Sequence, residues 1–257
     1  MVHLLTVYSA IASFVGDSDF PRSVEAYKEG KTLQLYQILY TRYSTLGLSY
    51  RTDRPRAIAG LEKRLMKALN SSGGYGIFQS KDKTNNFFHR GLLWQHDGVK
   101  LTRIDDFKLE EKVPSWSWMA FEGGIRYMNV LPGDIVPAND IISPFGELEP
   151  GISYTDSPPE HLAELQAPIR TLAVPTPAHL ILDVPEGPDH RLVRPLQCII
   201  VGTSKRVTDD AQRTHYALIV SYIRKEGEDK IYERAGVAFL TTGELLPPQD
   251  ERYIRIQ

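Results

Sequence analysis

Proline placement constrains this chain more than any other feature. Of its seventeen prolines, only Pro21 and Pro55 lie in the first 113 residues, whereas thirteen fall between Pro114 and Pro195. A proline offers no amide donor, and its ring clashes with the preceding helical turn. The second stretch therefore excludes long uninterrupted helices, and helices belong mostly to the first third. There Leu35, Leu39, Tyr43 and Leu46 recur at helical spacing behind a Thr32 cap, and Gly47 marks the exit. Thr52 or Asp53 offers the next N-cap, and Pro55 is tolerated in the first turn. Ile58, Leu61, Leu65 and Leu69 then line one face until Asn70-Ser71-Ser72-Gly73-Gly74 ends the helix. An earlier helix is expected from about Pro21 to Glu29, stopped by Gly30.

Beyond Gly74 the pattern turns to strands: Phe87 to Trp94, Gly124 to Val130, Ala178 to Val184 and Leu196 to Gly202. His215 to Ile223 and Ile231 to Leu240 follow, with Lys225 to Lys230 as the hairpin loop between them, and Arg252 to Ile256 as an edge strand. Residues 131–167, rich in Pro, Gly, Asp and Ser, read as a long irregular connection and the most mobile part. The expected class is α+β, an N-terminal helical segment of two to three helices packed on a mainly antiparallel β-sheet or sandwich. Residues 1–75 form the helical segment and 76–257 the β-rich segment, as one compact unit.

Composition narrows the functional classes. With 42% hydrophobic and 24% charged residues, the chain can bury a sizeable core. Thirty basic against thirty-two acidic side chains leave a net charge of -2, so no global field draws it to nucleic acid or an anionic membrane. Protein partners recognised by shape are expected instead. The lone Cys198 sits in an apolar run and reads as a buried, inert thiol, in keeping with a reducing, cytoplasmic setting. Leu4 to Val15 has the length of a signal-peptide core but lacks a basic n-region, so a first helix is the preferred reading and secretion the competing one. Asn70-Ser71-Ser72 is a glycosylation sequon that matters only under secretion. No apolar run reaches the ~18 residues of a membrane-spanning helix.

No catalytic signature emerges. Gly73-Gly74-Tyr75-Gly76 follows a helix and lacks the lysine of a phosphate loop, which makes it a turn. The seven histidines are scattered, and His161 with Glu164 lacks the second histidine one turn away, so no metal or cofactor is expected. No G-x-S-x-G elbow occurs. The acidic pairs Asp105-Asp106, Glu110-Glu111 and Asp209-Asp210 read as solvated loops. His89-Arg90 beside Phe87-Phe88 has the makings of an anion site, though a half-buried strand predicts the same mixture. Asp53 and Arg54 read as a cap and a surface ion pair.

Pro114-Ser115-Trp116-Ser117-Trp118 stands out, because in a strand started by the proline both indoles face one side. At roughly 200 Å² each and about 25 cal per Å², the pair contributes several kcal/mol if it joins helices to sheet. An exposed aromatic platform for a ligand or partner is the competing reading.

These blocks, taken in order, resemble the region downstream of the HET domain in fungal heterokaryon-incompatibility (HET) proteins. The likeness runs through Leu35 to Leu39, Tyr43-Ser44, Leu48-Ser49 to Asp53-Arg54, Ala57 to Leu61, Gly91-Leu92-Leu93-Trp94 and Pro114 to Trp118, then Gly123-Gly124 and Tyr127. Weaker similarity at Tyr216 to Val220 and Tyr232 to Val237 extends it over nearly the whole chain. Tyr43, Asp53, Arg54, Trp94, Pro114, Trp116 and Trp118 are the signature residues, expected to be structural. The family carries a tryptophan near the start of the first helix where this chain has Leu35 or Tyr36, and its insert before the Leu92-Leu93-Trp94 block is longer.

In the family a HET domain, resembling TIR-type folds and linked to non-self recognition and regulated cell death, precedes this region. Met1 here is expected to begin too late to include it, so no catalytic residue carries over. The resemblance implies a non-enzymatic regulatory or recognition module acting through protein contacts in non-self recognition or cell-death signalling. Two alternatives stand beside it. One is an accessory enzyme of fungal secondary metabolism, with a cleft in the β-rich part where His89, His215 or Glu233 converge. The other is a truncated product with no independent activity.

Overall fold

Tyr36 and Tyr40, one helical turn apart and fully buried, set the first helix against everything that follows. The computed structural model describes residues 31–82, 86–108, 112–131, 133–159, 161–186, 192, 194–206, 209, 212–247 and 253–257. The helix expected at Pro21 to Glu29, the apolar stretch Leu4 to Val15, and Glu110-Glu111, Asp210 and Arg252 lie outside those residues.

Helix α1 spans Lys31–Ser44, so Thr32 lies within it rather than ahead of it. Its buried side carries Leu33, Leu35, Tyr36, Leu39 and Tyr40. Leu46 does not continue that stripe: it lies past the helix end and is exposed. The helix closes because Ser44 Oγ donates to the Thr41 carbonyl and also accepts the Ile125 amide, which fastens a strand to the last turn. A 3-10 turn at Arg51–Asp53 leads straight into helix α2, Arg54–Ala68. Asp53 holds the N-cap position but makes no side-chain cap bond, since its backbone is already helical (φ -78°, ψ -6°). The buried side of α2 carries Ile58, Ala59, Leu65 and Met66, and also Glu62.

Strands β1 (Ser71–Gly74) and β2 (Ile77–Ser80) form a hairpin whose turn is Tyr75-Gly76, both at positive φ. Residues Phe87–Leu92, expected as a strand, form the short helix α3 instead. A short apolar run does not distinguish a strand from a helix buried nearly all round, and here Phe87, Phe88, Arg90, Gly91 and Leu92 are all buried. Strand β3 (Trp94–His96) follows, then β4 (Thr102–Arg103), β5 (Phe121–Glu122) and β6 (Ile125–Tyr127); β3 pairs with β6 and β4 with β5.

The main sheet has eight strands: β7 (Ile135–Pro137), β8 (Leu165–Pro168), β9 (Arg170–Thr171), β10 (His179–Leu182), β11 (Gln197–Ser204), β12 (Thr214–Glu226), β13 (Asp229–Thr241) and β14 (Tyr253–Ile256). The path runs β7-β11-β12-β13-β14-β8, with β9 beside β11 and β10 beside β13, and every pair is antiparallel except β13 with β14. The β12–β13 hairpin is longer and tighter than expected. Both strands run into the charged segment, and Gly227 (φ 61°) makes the turn. Strand β14, expected at an edge, lies inside the sheet between β13 and β8. An edge assignment fails because hydrogen-bond partners on both sides come from distant parts of the chain.

Bulges in β11 and β12 bend the sheet. It curls far enough that one stretch of chain touches both ends of the path. Ile135–Pro137 pairs with β11, and Ile142, five residues on, bridges Gln166 of β8. Residues 131–167 thus include two strands and this bridge among their turns. Alternation along β12 serves two cores. Tyr216, Leu218 and Val220 face the large cluster shared with the helices, while Ala217 and Ile219 face a smaller one with Leu172, Leu196 and Cys198.

Candidate functional site

Where β7 and β9 both leave the outer edge of β11, the sheet stays open. β9 pairs at Gln197 and Cys198, and β7 pairs at Gly202 to Ser204. The gap becomes a cleft of about 580 Å³ along the seam. One wall is Ala138, Asn139 and Asp140; the other is Pro168, Ile169 and Arg170; Ile200, Thr203, His215 and Tyr253 complete it. A mixed lining of apolar surface and a few convergent polar groups is the composition of a binding site. Tyr253, exposed, stands on its wall, and exposed Ile142, two residues beyond Asp140, bridges Gln166 of β8.

The polar groups are held from behind. Arg170 donates through Nη2 to the Leu246 carbonyl at 2.9 Å, while its Nε is buried without an acceptor among the described residues. His215 Nε2 lies 3.0 Å from Thr242 Oγ1. Behind Ala138, His89 Nε2 reaches the Ala138 carbonyl at 2.9 Å; burial lowers its pKa, against the hydrogen bond to Ala138 and the charge of Asp140. His215 thus lines the seam, while His89 reaches it only through the Ala138 carbonyl. Glu233 does not join them, since it lines a separate, smaller cleft with Arg103.

The signature residues come together elsewhere, in the large core. Trp94, Trp116 and Trp118 are fully buried. The strand expected for Pro114 to Trp118 is instead a turn closed by the Ser117 amide on the Pro114 carbonyl, followed by a 3-10 turn at Trp118–Ala120. Ser117 Oγ accepts the Met119 amide and so caps that turn, and the two indoles meet different rings, Trp116 with Tyr75 and Phe145, Trp118 with Tyr40 and Tyr43. Trp94 Nε1 donates to the Trp116 carbonyl at 2.9 Å, and Trp116 Nε1 to the Ala163 carbonyl at 3.3 Å. Trp118 packs against Tyr40 and Tyr43, with the Arg54 guanidinium 5.9 Å from its ring. Arg54 is not part of a surface ion pair: it is buried, and both terminal nitrogens donate to the Ser44 carbonyl. Tyr43 in turn donates to the Arg54 carbonyl at 2.7 Å.

His89-Arg90 makes no anion site of the expected kind. On helix α3 the two side chains separate, and Arg90 donates to the Val130 carbonyl at 2.6 Å. Cys198 is buried, which pushes its thiol up to about 12. Of the acidic pairs, Asp106 bridges Arg51 at 3.2 Å.

Three buried ionisable groups escaped the sequence reading, Glu62 and the pair Arg234 and Asp183. Glu62 accepts from Tyr40 at 3.2 Å and from the Gly76 amide at 2.7 Å through Oε1, and from Ser153 at 3.2 Å through Oε2. Its place at the fourth residue after Ile58 and the third before Leu65 on an apolar stripe was the available signal. Arg234, paired with Asp183, carried none, because its partners lie 51 and more residues away.

The chain matches no family model, no curated protein and no solved structure. Among the described residues no group of histidine, cysteine or acidic side chains is placed to hold a metal ion, and no helix is long and apolar enough to cross a membrane.

Proposed function

We propose that the chain is a recognition module working by protein contact, in the manner of the region downstream of the HET domain in fungal HET proteins, in non-self recognition or cell-death signalling. The observation that carries this reading is the seam cleft: a polar and apolar recess in a curled sheet, walled in part by exposed Tyr253, with exposed Ile142 two residues beyond the wall residue Asp140. A partner side chain entering it meets Ile169 and Ile200 for burial and Arg170, Asp140 and Asn139 for orientation. The family part of the reading draws support from the signature residues. Scattered over more than seventy positions, partly buried Tyr43 and buried Arg54 and Trp118 form one contact set, and Trp94 and Trp116 form a second within the same core.

A photoreactive p-benzoylphenylalanine at Ile142, in the full chain expressed in fungal cells, tests the proposal. The expected result is a discrete adduct with one protein that disappears when Tyr253→Arg is added. Two results overturn it. One is an adduct unchanged by Tyr253→Arg; the other is turnover of a nucleotide, ester or glycoside by the purified chain that His215→Ala abolishes.

A further inference from the structure

The seam cleft, at about 580 Å³, has the size of a small-molecule site, for which about 300–1,000 Å³ is usual. Its two walls each carry one charge, Arg170 on one and Asp140 on the other. Arg170 commits one hydrogen bond, from Nη2 to the Leu246 carbonyl at 2.9 Å, out of the five N–H donors of a guanidinium. Its Nε is buried and has no acceptor among the described residues. A desolvated donor is costly unless something else supplies the acceptor.

Asp140 matches it with an uncommitted charge of the opposite sign. It is exposed, makes no hydrogen bond or ion pair with any described residue, and does not close on Arg170. Buried charges elsewhere in this fold are paired directly, as Arg234 is with Asp183 at 2.7 Å. His89 lies near Asp140 but brings no charge at neutral pH, because burial lowers its pKa. His215 turns its Nε2 to Thr242. The lining therefore holds one cation and one anion, kept apart, and Pro168, Ile169 and Ile200 give it apolar surface beside them.

We propose that the seam cleft binds a free amino acid with an apolar side chain, its carboxylate on the Arg170 guanidinium, its ammonium on Asp140 and its side chain against Ile169 and Ile200. The planar fork of arginine matches a carboxylate geometrically. A zwitterion supplies both missing partners at once and adds no net charge to a lining that has none. A simple carboxylate leaves Asp140 unanswered, and a simple amine leaves Arg170 so. A phosphate monoester brings close to two negative charges to a cleft with one arginine and an opposing aspartate. The assignment rests on the contact reading only in taking the seam as a binding site. The titrations that test it use no partner, so they hold or fail apart from the Ile142 adduct.

Calorimetric titration of the full chain compares L-phenylalanine with 3-phenylpropanoate, which lacks the ammonium, and with phenethylamine, which lacks the carboxylate. Phenylalanine is expected to bind about tenfold tighter than the amine and about fivefold tighter than the acid, because Arg170 is the more desolvated of the two charges. Arg170→Gln is expected to weaken phenylalanine and the acid by about tenfold and to leave the amine unchanged. Because Arg170 also holds the Leu246 carbonyl, exposed Asp140→Asn serves as the second variant. It is expected to weaken phenylalanine by about fivefold at an unchanged melting temperature, with no loss for the acid. Acid or amine binding as tightly as phenylalanine, Asp140→Asn weakening the acid as much as the amino acid, or no saturable binding of millimolar phenylalanine each overturns the proposal.

Discussion

Arg234 Nε donates to Asp183 Oδ2 at 2.7 Å with both side chains excluded from solvent. The guanidinium also donates to the carbonyls of Leu92 at 2.7 Å and Trp94 at 2.5 Å and lies 3.2 Å from the Trp94 ring centroid. One side chain of β13 thereby ties the main sheet to the end of α3, to β3 and, through Asp183, to the residue after β10. Burial lowers the Arg234 pKa, and the charge and hydrogen bonds of Asp183 work against that shift.

Removing the acid strands the cation. Asp183→Ala is expected to cost about 3–5 kcal/mol in urea denaturation, because a buried charge loses its partner. Replacing both members, Asp183→Leu with Arg234→Met, is expected to recover a large part of that loss, since no unpaired charge remains. Two losses of equal size would show that packing around Trp94, and not charge pairing, holds this junction.

Glu62 predicts a pH dependence of the opposite kind from most carboxylates. Burial raises its pKa, and hydrogen bonds from Thr155, Gly76, Ser153 and Tyr40 offset only part of the effect. In the unfolded chain a glutamate ionises near pH ~4.3, while in the folded chain it holds its proton to higher pH. Its contribution to stability is therefore fully present below the unfolded pKa and is lost as pH rises through the folded one. Glu62→Gln removes the titration. Denaturant melts of both forms from pH 4 to 8 are expected to show the difference shifting steadily in favour of glutamine as pH rises, and flat at the acid end. A difference that shifts the other way would mean the hydrogen bonds outweigh desolvation.

Periodicity made the two long helices and the β11, β12 and β13 strands legible, because each buries one side of a regular element against the same core. It failed where burial is nearly all-round, as at Phe87–Leu92, since no polar face remains to reveal the period. It failed again at Pro114 to Trp118, where alternation came from a capped turn and not a pleat. The seam cleft had no local signal at all. Its walls come from residues 138–140, 168–170, 200, 203, 215 and 253, and they meet only because the sheet curls until Ile142 reaches Gln166. Glu62 was visible in principle, as a charge at an apolar position of α2. Its donors, Gly76 and Ser153, were not.

Trp116 puts the structural role of the indoles to its most direct test. Its ring meets Tyr75 at 6.1 Å and Phe145 at 5.9 Å, its Nε1 reaches the Ala163 carbonyl, and its own carbonyl receives Trp94. Four separated segments of chain therefore converge on one residue. Trp116→Ala opens a cavity among aromatic neighbours that hold each other in place, and it is expected to cost about 3–5 kcal/mol. Trp116→Phe keeps most of the ring and loses the bond to Ala163, so a smaller loss is expected, about 1–3 kcal/mol. Thermal melts followed by far-UV circular dichroism rank the two. The main-chain bond from Trp94 survives both substitutions, so a graded response tracks the lost ring and its donor. An alanine variant that melts like the parent would mean the surrounding rings close the space themselves, and the indole would then need another reason to be there.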